Sequence, residues 1–271
     1  SRETIVTQTL SDRVVGVLGT SDAVSKAGAA RAVASDWRAG VIPEIGRAAP
    51  RDRPKRPAKP ELLRPREMPK RGKAQSESGR IALLHALAHI ELNAIDLAAD
   101  ILVRFPDAGM PMDFYNDWLT VLDEEAKHFL LLSARLGEFG AAYGDLPAHD
   151  GLWQAAQDTS DDLLARLAIV PLVLEARGLD VTPTMIKSLR NAKDTGSADV
   201  LEIIYRDEIG HVAIGRKWFE HVCAARSSAD PVATWQRLVN ERFRGGLKAP
   251  FNDEARAEAG FGVAYYKALA G

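Results

Sequence analysis

The chain has 271 residues, with 35 Lys+Arg against 37 Asp+Glu and a formal charge of -2. That length is ample for a buried core, and the balanced charge excludes the overall basic excess of a dedicated nucleic-acid binder. The single cysteine, Cys223, excludes an intramolecular disulfide framework and thiolate metal clusters. No run approaches eighteen apolar residues, and Ser1-Arg2-Glu3-Thr4 lacks the basic and apolar regions of a signal peptide, so a soluble, cytoplasmic protein without membrane association is expected.

Residues 2–17 and 22–37 read as amphipathic helices, the second capped by Ser21 or Asp22. They predict a small helical extension over 1–38. Between 39 and 76 the composition shifts to Pro, Arg and Lys: Pro50, Pro54, Pro57, Pro60, Pro65 and Pro69 interleave with ten Lys/Arg between Arg51 and Lys73. Prolines at this density exclude helix or central strand and predict an extended strap. The segment contains no aromatic residue on which a base could stack. A strap packed along the helices with solvated charges is the expectation, and phosphate contacts are the alternative.

Helical periodicity then dominates. Helices are predicted at 77–104, 112–140, 153–177 and 197–224, within a domain of 77–225. A short helix at 183–193 opens on Thr182-Pro183, a cap followed by proline at the first helical position. Gly178 and Asp180, just after Glu175, suggest that the third long helix breaks or bulges near Glu175, a device that could widen a substrate pocket. Residues 226–271 read as a C-terminal helical extension, with one helix at 231–243 and a final helical stretch to Leu269. No segment alternates with period 2, so the fold class is all-α.

Two E-x-x-H tetrapeptides, Glu125-Ala-Lys-His128 and Glu208-Ile-Gly-His211, stand on apolar stripes of their helices. Residues three apart share a helix face, so each pair can aim a carboxylate and an imidazole at one ion. Sixteen glutamates and six histidines lead one to expect fewer than one such tetrapeptide by chance. Two further glutamates, Glu91 and Glu175, also interrupt apolar stripes. Glu91 precedes Glu125 by 34 residues and Glu175 precedes Glu208 by 33. A path of about 12 residues out, a loop and about 12 back, roughly 18 Å each way, returns the chain to the same height. Each half therefore repeats one pattern of Glu followed by Glu-x-x-His, the arrangement of two-metal carboxylate bundles. Four buried carboxylates would repel one another, and two divalent cations would balance them.

With these six positions, the stretch from Ile81 to Cys223 resembles the ferritin-like superfamily. That superfamily includes rubrerythrins, ribonucleotide reductase small subunits, bacterial multicomponent monooxygenases and a tRNA isopentenyladenosine hydroxylase. The blocks from Pro57 to Lys70, Glu175 to Val181 and Tyr205 to Gly215 resemble more closely an uncharacterised bacterial ferritin-like family of unknown function. The resemblance implies a ferritin-like four-helix bundle with a long crossover, and Glu91, Glu125, His128, Glu175, Glu208 and His211 as metal ligands. In related proteins an acidic residue preceding the E-x-x-H glutamate reaches the opposite histidine, which implies Asp207 with His128 and Glu124 with His211. Tyr205 is either a hydrogen-bond donor near the metals or a packing residue. His85 and His89, six and two residues before Glu91, cannot both share its face and are expected to be solvated or structural.

The implied cofactor is two Fe ions, with Mn or a mixed Fe/Mn pair as alternatives. The expected function is an O₂-dependent di-iron oxidoreductase or hydroxylase acting on an unidentified small molecule. An electron-donor protein and a homodimeric assembly are candidate partners. The alternatives are a ferroxidase or iron-handling protein, a hydroxylase that modifies tRNA, and a non-catalytic bundle stabilised by metal.

Overall fold

The computed structural model describes residues 8–226 and 230–270; residues 2–7 of the first expected helix lie outside them. The described chain is mostly helical, with two strands of two residues each. No helix among the described residues is long and apolar enough to cross a membrane. The chain forms two compact units, one containing the described residues up to Met68 together with His85–Trp153, the other Pro69–Leu84 and the described residues from Gln154 onward.

In the first unit, α1 (Leu10–Leu18) starts at Thr9, whose hydroxyl and Asp12 form a reciprocal capping box. α2 (Ala23–Arg38) starts at Asp22, which accepts from the Ser25 backbone N–H. α2 packs along both α1 and α4, and its fully buried Ala27, Ala30 and Ala34 keep its surface narrow. The strap follows α2 in irregular backbone, interrupted by β1 (Leu62–Leu63) and a single 3₁₀ turn at Pro65–Glu67. α3 (Glu77–Arg104) and α4 (Met112–Glu138) supply Leu92, Ile95, Trp118 and Phe129 to the core. β2 (Ala148–His149) pairs in parallel with β1.

Outside the short β1–β2 pair the strap has no ladder, so its backbone groups find side-chain and loop partners. The Arg51 carbonyl accepts from Arg104, the Asp52 carbonyl from the Trp153 indole and the Lys55 carbonyl from Lys26, while the Lys55 N–H donates to Leu18. One of its charges is also drawn partly out of water. The Arg56 Nε lies 2.7 Å from Asp96, whose other oxygen holds the Lys26 Nζ at 2.6 Å. Lys26 and Asp96 are both fully buried. The expectation of a strap with solvated charges therefore fails at Arg56.

The second unit opens on the end of the strap from Pro69 and the first two turns of α3, and continues with α5 (Gln154–Asp158) and α6 (Leu163–Ile169). A π-helical turn over Val170–Glu175 then runs straight into α7 (Ala176–Asn191). The helix therefore does not end at Gly178 and start afresh at Pro183 as expected, while the bulge expected near Glu175 takes the form of this π turn. The irregularity begins about two turns before Gly178, at Pro171, which has no N–H and whose ring crowds the preceding turn. Pro183 sits inside α7. The helical acceptor that it leaves unserved, the Leu179 carbonyl, receives the Asn252 side-chain amide at 3.0 Å. α8 (Thr195–Ala225) begins behind Asp194, which accepts from the Ser197 N–H. α9 (Pro231–Arg242), α10 (Asp253–Glu258) and α11 (Val263–Tyr266) complete the unit. The buried Trp235 of α9 packs edge-on to Phe261 and donates its indole N–H to the Ala168 carbonyl beside the π turn.

Candidate metal centre

In the first unit Glu91 of α3 meets Glu125 and His128 of α4. The three side chains place ligand atoms within 4.8 Å of one another. His128 Nδ1 lies 3.4 Å from Glu91 Oε2 and 3.5 Å from Glu125 Oε2. One turn of α4 puts Glu125 and His128 side by side, and the buried Trp118, Leu122, Phe129 and Leu132 surround them with hydrocarbon. Glu91 is 6% exposed, and the other two are fully buried. Burial, then the neighbouring Glu125, pushes the Glu91 carboxyl well above the usual range, with His128 opposing.

The second unit repeats the device. Glu175, the last residue of the π turn, meets Glu208 and His211 of α8, again with ligand atoms within 4.8 Å. His211 Nδ1 lies 3.6 Å from Glu208 Oε1. His211 is fully buried and Glu208 is 9% exposed, among Leu201, Ile204, Val212 and Phe219. The wider π turn shifts the register at which Glu175 leaves the helix. Close approach of α8 to that turn depends on Gly215, where a Cβ would stand 2.4 Å from the Pro171 ring.

Each triad thus holds two carboxylates and one imidazole in a largely buried space, with Glu175 half-buried. Carboxylate oxygens are acceptors only, and desolvating two of them together is unfavourable unless protons or a cation intervene. Two oxygens and one nitrogen with a formal charge of -2 suit a divalent Fe or Mn ion, so the residues fit the implied metals.

The remaining sequence candidates fall as follows. Tyr205 is half-buried on α8, and its hydroxyl accepts from Asn252 at 2.9 Å. Asp207 and Glu124 are half-buried beside the E-x-x-H glutamates of α8 and α4.

His85 and His89 have a defined structural role. His89 Nε2 lies 2.9 Å from the His149 carbonyl and Nδ1 lies 2.8 Å from the Tyr143 hydroxyl. A carbonyl only accepts, so Nε2 carries the proton and Nδ1 accepts from the phenol. His85 Nε2 accepts from the Gly144 N–H at 3.0 Å, and its ring stacks on Tyr143. Burial lowers both imidazoles, His89 to about 4, which keeps them neutral. They clamp α3 to the loop after α4. The readable signal was their own four-residue spacing, which puts them on one face of α3.

Residues 19–267 match a family described as a protein of unknown function (DUF455), and the chain belongs to that family. An uncharacterized protein of Haemophilus influenzae is 43% identical over 210 residues, covering 76% of this chain and 72% of the relative. No solved structure matches the chain.

Proposed function

We propose that the two triads serve one two-metal carboxylate centre in a ferritin-like four-helix bundle, and that the protein is an O₂-dependent oxidoreductase or hydroxylase. The observation that carries this reading is the repetition of one donor set in each unit: a single glutamate, buried at Glu91 and half-buried at Glu175, and a buried Glu-x-x-His turn. A solitary buried carboxylate has many uses, but two matched triads with the same residue types argue for matched ions. The 34- and 33-residue spacings support helices α3, α4, α6–α7 and α8 as the four arms of the bundle.

In this reading Glu91, Glu125 and His128 bind one divalent ion, and Glu175, Glu208 and His211 the other. Ferrous ions held there would supply the redox chemistry toward dioxygen. The hydrocarbon around each triad excludes bulk water and strengthens the electrostatic hold on the ions. Asp207 and Glu124 remain the candidates for orienting the histidines.

Elemental analysis of protein purified from its native host, followed by anaerobic Fe(II) titration and exposure to O₂, tests the reading. Two metals per chain are expected, reduced to one or none in Glu125→Gln and in Glu208→Gln, with O₂ consumed only by the loaded wild type. Failure to retain stoichiometric metal under any loading condition would sink the proposal. O₂ consumption that leaves ferric iron as its sole product would assign iron handling instead.

A further inference from the structure

The second unit contains a cavity of about 480 Å³ between the start of α3, the end of the strap and α7. That volume lies within the range of small-molecule sites. Arg177, Val181, Thr184 and Ser188 of α7 line it at spacings of four, three and four residues, the signature of one helix face. Arg177 follows Glu175 by two residues, roughly 200° around a helix, so this face opens away from the triad's carboxylate.

The wall carries positive charge. Arg71 from the strap and Arg177 both line the cavity, and Arg71 has no ion pair or hydrogen bond among the described residues. Asp180, the acidic group of the wall, offsets Arg177 only weakly, at 3.8 Å, and Arg177 also donates to the Lys248 carbonyl at 3.0 Å. The two Asp180 oxygens are held by Arg256 at 2.9 and 2.7 Å, and Asp180 also accepts the Asn252 N–H at 2.8 Å. The hydroxyls of Thr184 and Ser188 add two polar groups on successive turns, while Leu83 and Met185 supply hydrocarbon.

The strap is fastened where it closes the cavity. Arg80 donates to the Ala74 carbonyl at 2.8 Å. Gly79 is buried against the strap backbone so closely that a Cβ there would lie 2.1 Å from the Lys73 carbonyl oxygen. Arg71 therefore springs from a held backbone rather than from a loose loop, the preorganisation that a binding group needs.

We infer that this cavity binds an amphiphilic organic anion, its carboxylate or phosphate on Arg71, Arg177 and the two hydroxyls, and its apolar part against Leu83, Val181 and Met185. Guanidinium groups suit planar, paired contacts to either oxyanion. The site stands independently of the metal centre, because none of its residues is a metal ligand.

Isothermal titration calorimetry with octyl phosphate, octanoate, octanol and inorganic phosphate tests it. At least one of the two amphiphilic acids should bind one-to-one, at least tenfold more tightly than both octanol and inorganic phosphate. Whichever acid binds more tightly identifies the head group. Arg71→Gln and Arg177→Gln should each weaken that acid by roughly tenfold, the worth of one charged hydrogen bond. Arg71 is exposed, so its variant keeps the fold, as circular dichroism would verify. Glu125→Gln should leave the affinity unchanged. Octanol binding as tightly as the acids, wild-type affinity in the double arginine variant, or no heat from either acid would each overturn the assignment.

Discussion

Asn252 donates its side-chain amide to the Leu179 carbonyl at 3.0 Å, the acceptor four residues before Pro183, whose ring nitrogen has no N–H to offer it. The same residue caps α10 through the Ala255 N–H and reaches the Tyr205 hydroxyl. Asn252→Ala should lower stability by about 2 kcal/mol, combining a lost cap with an unserved acceptor. In a Pro183→Ala background the loss should shrink by about 1 kcal/mol, because the new N–H serves Leu179. Urea unfolding of the four proteins in this cycle reads the coupling, and strict additivity would show that the amide is not compensating for the proline.

Lys26, Asp96 and Arg56 join α2, α3 and the strap in one buried ionic cluster. Desolvation pushes Asp96 up and Lys26 down, each against the pull of its partner. Removing one member strands charge in hydrocarbon. Asp96→Asn should therefore destabilise by about 3–5 kcal/mol, whereas the paired Lys26→Met with Asp96→Leu should cost less than Asp96→Asn alone. Thermal denaturation distinguishes these outcomes, and a loss under 1 kcal/mol for Asp96→Asn would mean that water reaches the cluster.

The clamp at His85 makes the fold sensitive to acid. Its folded pKa is lowered from the ordinary 6.5, first by burial, with Asp145 opposing. The unfolded chain then binds more protons between the lowered folded value and 6.5, so stability is fully present above 6.5 and declines as pH falls through that window. His85→Gln can accept from the Gly144 N–H without titrating. Its stability should fall less steeply than the wild type's between pH 6.5 and 5, and parallel curves would rule out His85 as the source.

Gly215 is the point at which α8 rests against the π turn. Gly215→Ala should destabilise by about 1–3 kcal/mol, since the methyl would meet the Pro171 ring at 2.4 Å and must displace it. Because Glu175 ends that turn, the same substitution should weaken one of the two expected metal sites more than the other. Metal stoichiometry after dialysis measures this; two equally retained ions would uncouple Gly215 from the triad.

Long helices were readable because their determinants are local. The expected span 77–104 coincides with α3 (Glu77–Arg104), and 231–243 comes within one residue of α9 (Pro231–Arg242). Apolar periodicity and the glycines and prolines at the ends act within a few residues of one another. The third long helix was misjudged because its two prolines and Gly178 carry strong local signals that distant groups override. Asn252 serves the carbonyl freed by Pro183, and no window around 183 contains Asn252.

The candidate site divides in the same way. Residue types and spacing by themselves determined Glu91, Glu125, His128, Glu175, Glu208 and His211 as candidate donors, because a carboxylate on an apolar helix face is conspicuous wherever it occurs. Tertiary structure alone decided that Glu91 closes on Glu125 and His128, that a π turn presents Glu175 to Glu208 and His211, and that Arg56 pairs with the buried Asp96 while Arg71 lines a cavity. Both arginines belong to one basic, proline-rich strap and look alike in sequence. What separates them is the desolvated carboxylate that folding brings to one and not to the other.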